Sequence, residues 1–248
     1  MMRLAPLALA CLALLPVAAA QDAFVESYHA AYEARDAEGL RALWAANVGG
    51  ILYAIDADLE TSLAMREAGE TKDAVDEEAI AALHARALYG ARAASEATDQ
   101  PLFHDYASAF IGWSREEQRR FRGGQQAFGA ARKAAAEGDH EAALAAGLQC
   151  LNLAEPLGDW WGMAMGLSAA GAANQALGEH EAALAQLARA RQIHHDLGLF
   201  GSELGNLQSM VASCMELGRT ARALACAERG MALARQLEVP QAGEECGQ

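Results

Sequence analysis

The sequence predicts an all-α chain built from stacked helical hairpins, and three observations carry that prediction. The heptapeptide Gly138 to Leu144 (GDHEAAL) returns forty residues on as Gly178 to Leu184 (GEHEAAL), and again as Gly218 to Leu224 (GRTARAL). A fixed period of this size marks supersecondary units that must stack to bury their apolar faces. Hydrophobic residues make up 53% of the chain but aromatics only 6%, so the excess is aliphatic and much of it alanine. Alanine favours close-packed helices over strands. Finally, Leu157-Gly158, Leu197-Gly198 and Leu237-Glu238 close the units at the same interval.

The N-terminus comes first in the chain and differs in kind. Arg3 supplies a positive start, Leu4 to Val17 is an apolar run, and Ala18-Ala19-Ala20 is a small-residue site. That pattern is read as a secretory signal peptide, residues 1–20, cleaved before Gln21. The run is short for a membrane span, which needs roughly 20 residues. The expected location is therefore a bacterial periplasm or the medium, with no stable membrane span after cleavage.

Residues 21–113 read as an N-terminal helical region, either degenerate repeats or a cap. Residues 22–46 suggest one or two helices with Tyr28, Tyr32, Leu40, Leu43 and Trp44 as an apolar stripe. A helix is expected over 48–69, ended by Gly69, and another over 74–98, with Asp76, Glu77 and Glu78 in its first turn. Pro101 starts a short helix over 101–113. Ser114 with Glu117 three residues on is a capping box that opens the repeats.

The repeats occupy 114–238, as units of about 118–157, 158–197 and 198–237, before a polar tail at 239–248. Each unit's glycine is expected to close one helix in a left-handed turn. Asp139 and Glu179 then open the next helix at its positive end, and Arg219 breaks that rule in the third copy. Ala143, Ala183 and Ala223 leave room for close helix approach, and Leu144, Leu184 and Leu224 supply apolar area at one recurring place.

This turn resembles that of the tetratricopeptide repeat, a small residue inside the first helix and a Gly-x-(aromatic)-x-x-Ala step into the second. Here it is Gly138-Asp139-His140-Glu141-Ala142-Ala143 and its two copies. His140 and His180 take the aromatic place; Thr220 departs from it, and no proline closes the units. The usual repeat has about 34 residues; the 40 here are like the longer variety. The resemblance implies a right-handed superhelical solenoid of antiparallel helix hairpins over residues 118–237.

It also implies a concave groove lined by the first helices, about 119–137, 159–177 and 200–217. Carried over by the glycine anchors, its ranks are Gln125, Phe128 and Arg132; then Met165, Ser168, Ala172 and Gln175; then Gly205, Gln208, Ala212 and Met215. Phe121, Trp160, Trp161 and Phe200 sit near the helix starts, with Phe121 and Trp161 expected to serve the groove and Trp160 the core.

A formal net charge of −14 disfavours nucleic acid and anionic membrane surfaces as partners. No phosphate loop, HExxH or G-x-S-x-G occurs. His194-His195-Asp196 is the densest ligand-like cluster, but adjacent helical side chains point about 100° apart and do not share a metal face. His140 and His180 recur at one repeat position, which points to packing. Cys150, Cys214, Cys226 and Cys246 admit three disulfide connectivities; Cys214 and Cys226 flank the Gly218 turn and are placed to approach, though buried cysteine also packs as a small apolar residue.

The function these readings predict is a non-catalytic, exported scaffold that binds a protein or peptide in its groove, with no cofactor, no metal and no catalytic residues. Two other classes stay open: a helical protein binding a small ligand or lipid, and a structural module that assembles end to end through its last hairpin.

Overall fold

The structure, a computed structural model, describes residues 15–70 and 74–238. The greater part of the expected export signal, both Cys11 and Cys246, and the tail 239–248 lie outside those residues. The described residues form eleven α-helices with two short 3-10 turns and no strand. The chain falls into two compact units, Met1–Asp99 and Gln100–Gln248.

The first unit holds α1 (Leu15–Glu33), α2 (Ala37–Ala46), a 3-10 turn at Val48–Gly50, α3 (Ile51–Glu70) and α4 (Glu77–Thr98). The stretch 22–46 thus resolves into two helices. Arg35 breaks them with a left-handed φ of 54°, and Asp36 caps α2 by accepting the Gly39 N–H at 2.8 Å. Asp76 stands just outside α4 as its cap, accepting the Ala79 N–H at 3.0 Å, instead of inside the first turn. α4 packs against α1, α2 and α3, and the side chains of Tyr28 and Trp44 are wholly buried beside it.

Their polar atoms explain why burial is tolerated there. The Trp44 Nε1–H donates to the Gly90 carbonyl at 3.0 Å, and the Tyr28 hydroxyl donates to the Arg86 carbonyl at 2.8 Å. Gly90 is required at this crossing, since a Cβ would meet the Tyr28 hydroxyl at 2.7 Å. Asp58, 3% exposed, takes both a Nε–H bond at 2.9 Å and a second guanidinium bond from Arg86. A buried carboxylate needs such a partner, because desolvating an unpaired charge costs several kcal/mol.

The second unit runs α5 (Leu102–Gly112), α6 (Arg115–Glu137), α7 (His140–Ala154), a 3-10 turn at Glu155–Leu157, α8 (Trp160–Ala176), α9 (His180–Asp196), α10 (Phe200–Glu216) and α11 (Thr220–Glu238). From α6 onward each helix packs on the next in sequence, and α6 touches α8 as α8 touches α10. α5, grouped by sequence with 21–113, belongs to this unit. Its Phe110 stacks with Trp113 and Phe121, and the Trp113 Nε1–H donates to the Leu157 carbonyl at 3.1 Å.

The capping box forms as expected: the Ser114 N–H donates to Glu117 at 2.7 Å and the Glu117 N–H to the Ser114 hydroxyl at 3.3 Å. Gly138, Gly178 and Gly218 have φ of 79°, 82° and 67°, and Gly158 and Gly198 between them have 65° and 70°. The chain therefore reverses every twenty residues through a conformation that costs other residues about 1 kcal/mol or more. Ala143, Ala183 and Ala223 are 2%, 0% and 3% exposed, consistent with close packing at that position. The tightest crossing joins α7 and α8, where a Cβ on Gly166 would meet the Leu151 nitrogen at 2.7 Å and one on Gly147 the Ala170 nitrogen at 2.8 Å.

Cys150, Cys214 and Cys226 are free and buried; Cys214 and Cys226 share one apolar cluster with Leu184, Leu187, Leu207 and Leu233. Burial pushes the Cys150 thiol up to about 11, so it stays protonated and inert at neutral pH. Among the described residues no helix is long and apolar enough to cross a membrane.

Candidate functional site

A groove of about 500 Å³ runs across the second unit, and three alternate helices build it. α6 contributes Phe128, Ala131, Arg132 and Ala135, one face at the i, i+3, i+4, i+7 spacing of a helix. α8 contributes Ser168, Ala169, Ala172, Ala173 and Ala176 along one stripe, in which Ala172 and Ala176 are exposed and Ala173 is buried. α10 adds Gly205, Asn206 and Ser209, while His140 and Leu187 reach in from α7 and α9. Seven of its fourteen lining residues are alanine or glycine, whose short side chains help to keep the trough open.

Two kinds of polar chemistry border this apolar floor. At one wall, the Arg132 guanidinium lies 6.0 Å from the centre of the Phe128 ring and is exposed to solvent. No carboxylate lines the groove to neutralise it. At the other, the Ser168 hydroxyl donates to Asn206 Oδ1 at 2.9 Å, and Asn206 Nδ2 lies 2.9 Å from His194 Nδ1. Because Oδ1 already accepts from Ser168, the Asn206 amide donates to His194, which must be unprotonated at Nδ1 and carry its proton on Nε2.

His194 is 2% exposed, and burial pushes its pKa down to about 4 against an opposing pull from Glu203. The imidazole is therefore neutral at physiological pH, as an acceptor of the Asn206 amide has to be. Its neighbour His195 turns away: His195 Nδ1 lies 2.9 Å from Glu203, a carboxylate with no exposure that also faces Arg191 and Arg229, each at 3.4 Å. The adjacent histidines thus serve separate networks. Among the described residues no group of three or more His, Cys, Asp or Glu is arranged to hold a metal.

Phe128, Arg132 and Ser168 come together in the groove, with Ala172 and Gly205 of the expected ranks. The others lie elsewhere. Phe121 is 6% exposed and stacks in the core on Phe110 and Trp113 at 5.3 and 5.1 Å. Gln125 is exposed and accepts a bond from Arg122 at 2.8 Å. Trp160, Trp161, Met165 and Gln175 are half-buried on α8, outside the groove lining. Gln208 lines a separate trough on the outer face of α10 and α11, and Met215 is 56% exposed near the α10 terminus.

Asn206, Ser209 and the alanines 169, 173 and 176 line the groove without having been singled out by sequence, and His140, read there as a packing residue, lines it too. The alanines carry no signal in an alanine-rich chain. Asn206 carried little more, since Glu203 and Ser213 share its buried face of α10. No protein-family model matches this chain, and no curated protein matches it.

Proposed function

We propose that the second unit is a tetratricopeptide-like solenoid and that its groove binds a peptide or an extended segment of a partner protein without chemical turnover. One observation carries the reading: five residues chosen from the repeat register, Phe128, Arg132, Ser168, Ala172 and Gly205, line a single trough across three successive first helices. A floor of alanine and glycine lets a partner backbone approach closely. Phe128 offers an apolar anchor, and Arg132 is the cation for a carboxylate, either an acidic side chain or a chain terminus. The Ser168 hydroxyl is engaged with the Asn206 amide oxygen, which supports a binding role for it.

A peptide display selection on the full chain tests this. Recovered peptides should share a carboxylate beside an apolar residue, and Arg132→Ala should weaken them by about tenfold or more, as loss of a charge-assisted bond of about 1.5–3 kcal/mol requires. Selection of peptides insensitive to both Arg132→Ala and Phe128→Ala would contradict the reading.

The volume of about 500 Å³ also lies within the range of small-molecule pockets, roughly 300–1,000 Å³, so native mass spectrometry should look for a co-purifying ligand. On the pattern of residues 1–20 the working protein is exported. N-terminal sequencing after expression in a bacterial host is expected to begin at Gln21; retention of Met1 contradicts export by this route.

A further inference from the structure

Side chains from α9 and α11 converge on Glu203, the carboxylate of α10 that has no exposure. Arg191 and Arg229 both approach its Oε1, each at 3.4 Å, and His195 Nδ1 stands 2.9 Å from its Oε2. A charge-assisted bond of this kind closes to about 2.7–2.9 Å, so neither guanidinium is tightly held. His195 Nδ1 also lies 3.2 Å from Arg229 Nη2. One ring nitrogen donates to the carboxylate or accepts from the guanidinium, never both. With the shorter contact made to Glu203, that Arg229 nitrogen is left with only the Glu203 oxygen at 3.4 Å.

The preceding hairpin solves the same problem differently. Arg189 stands forty residues before Arg229, and Glu155 forty before His195. Those two form a direct surface pair at 3.0 Å. In the last hairpin an imidazole takes the place of that carboxylate, and the Arg229 side chain, 47% exposed, keeps its charge toward solvent. Arg222 adds to it, since Arg222, Cys226 and Arg229 fall at the i, i+4, i+7 spacing of one helix face. Burial pushes the Cys226 thiol up, with Cys214 adding to the push, while Arg222 and Arg191 pull against it, which puts both guanidiniums near this cysteine. Arg222 is exposed and forms no ion pair among the described residues. Of the acids nearby in sequence, Glu228 points about 100° away from Arg229 around the helix, and Asp196 is bonded by Gln192 at 2.8 Å. Three arginines therefore share one glutamate, an excess of two positive charges with His195 neutral.

The geometry points to an anion site here: Arg191, Arg222 and Arg229, with His195 at its edge, bind the dianionic phosphate of a phosphomonoester. Charge selects the class. A phosphomonoester carries close to two negative charges above about pH 7, which matches the excess, whereas a carboxylate leaves one positive charge uncompensated. Guanidiniums suit phosphate oxygens because each presents its N–H groups as a planar fork. Glu203 beneath them holds Arg191 and Arg229 side by side against their own repulsion.

Isothermal titration of the full chain with glycerol 3-phosphate, at low salt and about pH 8, tests the proposal. One phosphate should bind per chain with a dissociation constant of about 1 mM or below. Arg222→Gln should weaken binding about tenfold, as loss of one charge-assisted bond requires; this side chain is exposed and unpaired, so folding is preserved. Arg235→Gln removes the same charge from another exposed face of α11, and Arg132→Ala removes the groove cation; both should bind as wild type does. Phosphatidylcholine vesicles containing phosphatidic acid present the same dianion on a lipid, and co-sedimentation with them forms a second arm. Arg222-dependent binding in either arm supports the site, and the arm that binds tells the free ester from the lipid headgroup. No saturable binding in either arm up to about 10 mM phosphate, equal affinity in wild type and Arg222→Gln, or equal loss in Arg235→Gln or Arg132→Ala would each overturn it.

Discussion

His194 shows how a single side chain links stability to the groove. Its ordinary pKa is about 6.5, and burial holds it near 4 in the folded chain. Below pH 6.5 the unfolded chain takes up the proton and the folded chain does not, so stability falls as pH drops through this window and is fully present above it. Between pH 8 and pH 5 the loss from this group is about 2 kcal/mol. His29 and His84 are also held below their ordinary range by burial and act with the same sign. Urea unfolding of wild type and of His194→Gln at the two pH values checks the claim: the variant should lose about 2 kcal/mol less on acidification. Equal pH dependence in both proteins would mean that His194 is not buried neutral. Protonation of the folded chain's His194, near pH 4, would also take the acceptor from Asn206, whose amide lines the groove, so peptide binding should weaken there and not between pH 8 and pH 5.

The helices show where one methylene decides a cap. Asp139 and Glu179 occupy the same repeat position, one before α7 and one before α9. Asp139 accepts the Ala142 N–H at 3.0 Å, while Glu179 makes no side-chain cap bond. Its longer side chain carries the carboxylate past the N–H that a shorter residue reaches. Asp139→Ala should therefore cost about 1 kcal/mol, Glu179→Ala almost nothing, and Glu179→Asp should stabilise by about 0.5–1 kcal/mol. Thermal denaturation of the three variants tests this, and equal costs for the two alanine changes would refute the assignment. Much of this level is legible in the sequence, because glycines at a fixed interval state where the chain turns and Ser114 with Glu117 states where α6 begins. The intermediate turns at Gly158 and Gly198 were read only as repeat ends, yet they are left-handed reversals of the same type. The break at Arg35 was harder to read, since no glycine or proline marks it and only the Asp36 cap hints at it.

Among the described residues the repeat register does not fix burial by itself: Leu144, Leu184 and Leu224 share one register position and are half-buried, 2% exposed and 58% exposed. Leu184 and Leu224 are the same residue at the same register, but only Leu184 has a hairpin stacked on it. Sequence alone also cannot weigh a groove residue against a core residue when both are aromatic at helical spacing. Phe121 and Phe128 are one i, i+7 pair on α6; Phe121 faces the aromatic cluster with α5 and Phe128 faces the trough. What separates them is which neighbouring helix is present, a long-range fact that no local window holds. The most direct measurement of the central claim is the affinity of a selected peptide for the full chain with the groove filled. Ala172→Trp puts a large side chain on an exposed floor position of α8 without entering the core, and Gln125→Ala changes an exposed residue on α6 outside the groove. Isothermal titration should show binding lost by at least about 100-fold in Ala172→Trp and unchanged in Gln125→Ala. Undiminished binding by Ala172→Trp would show that the partner docks elsewhere on the molecule.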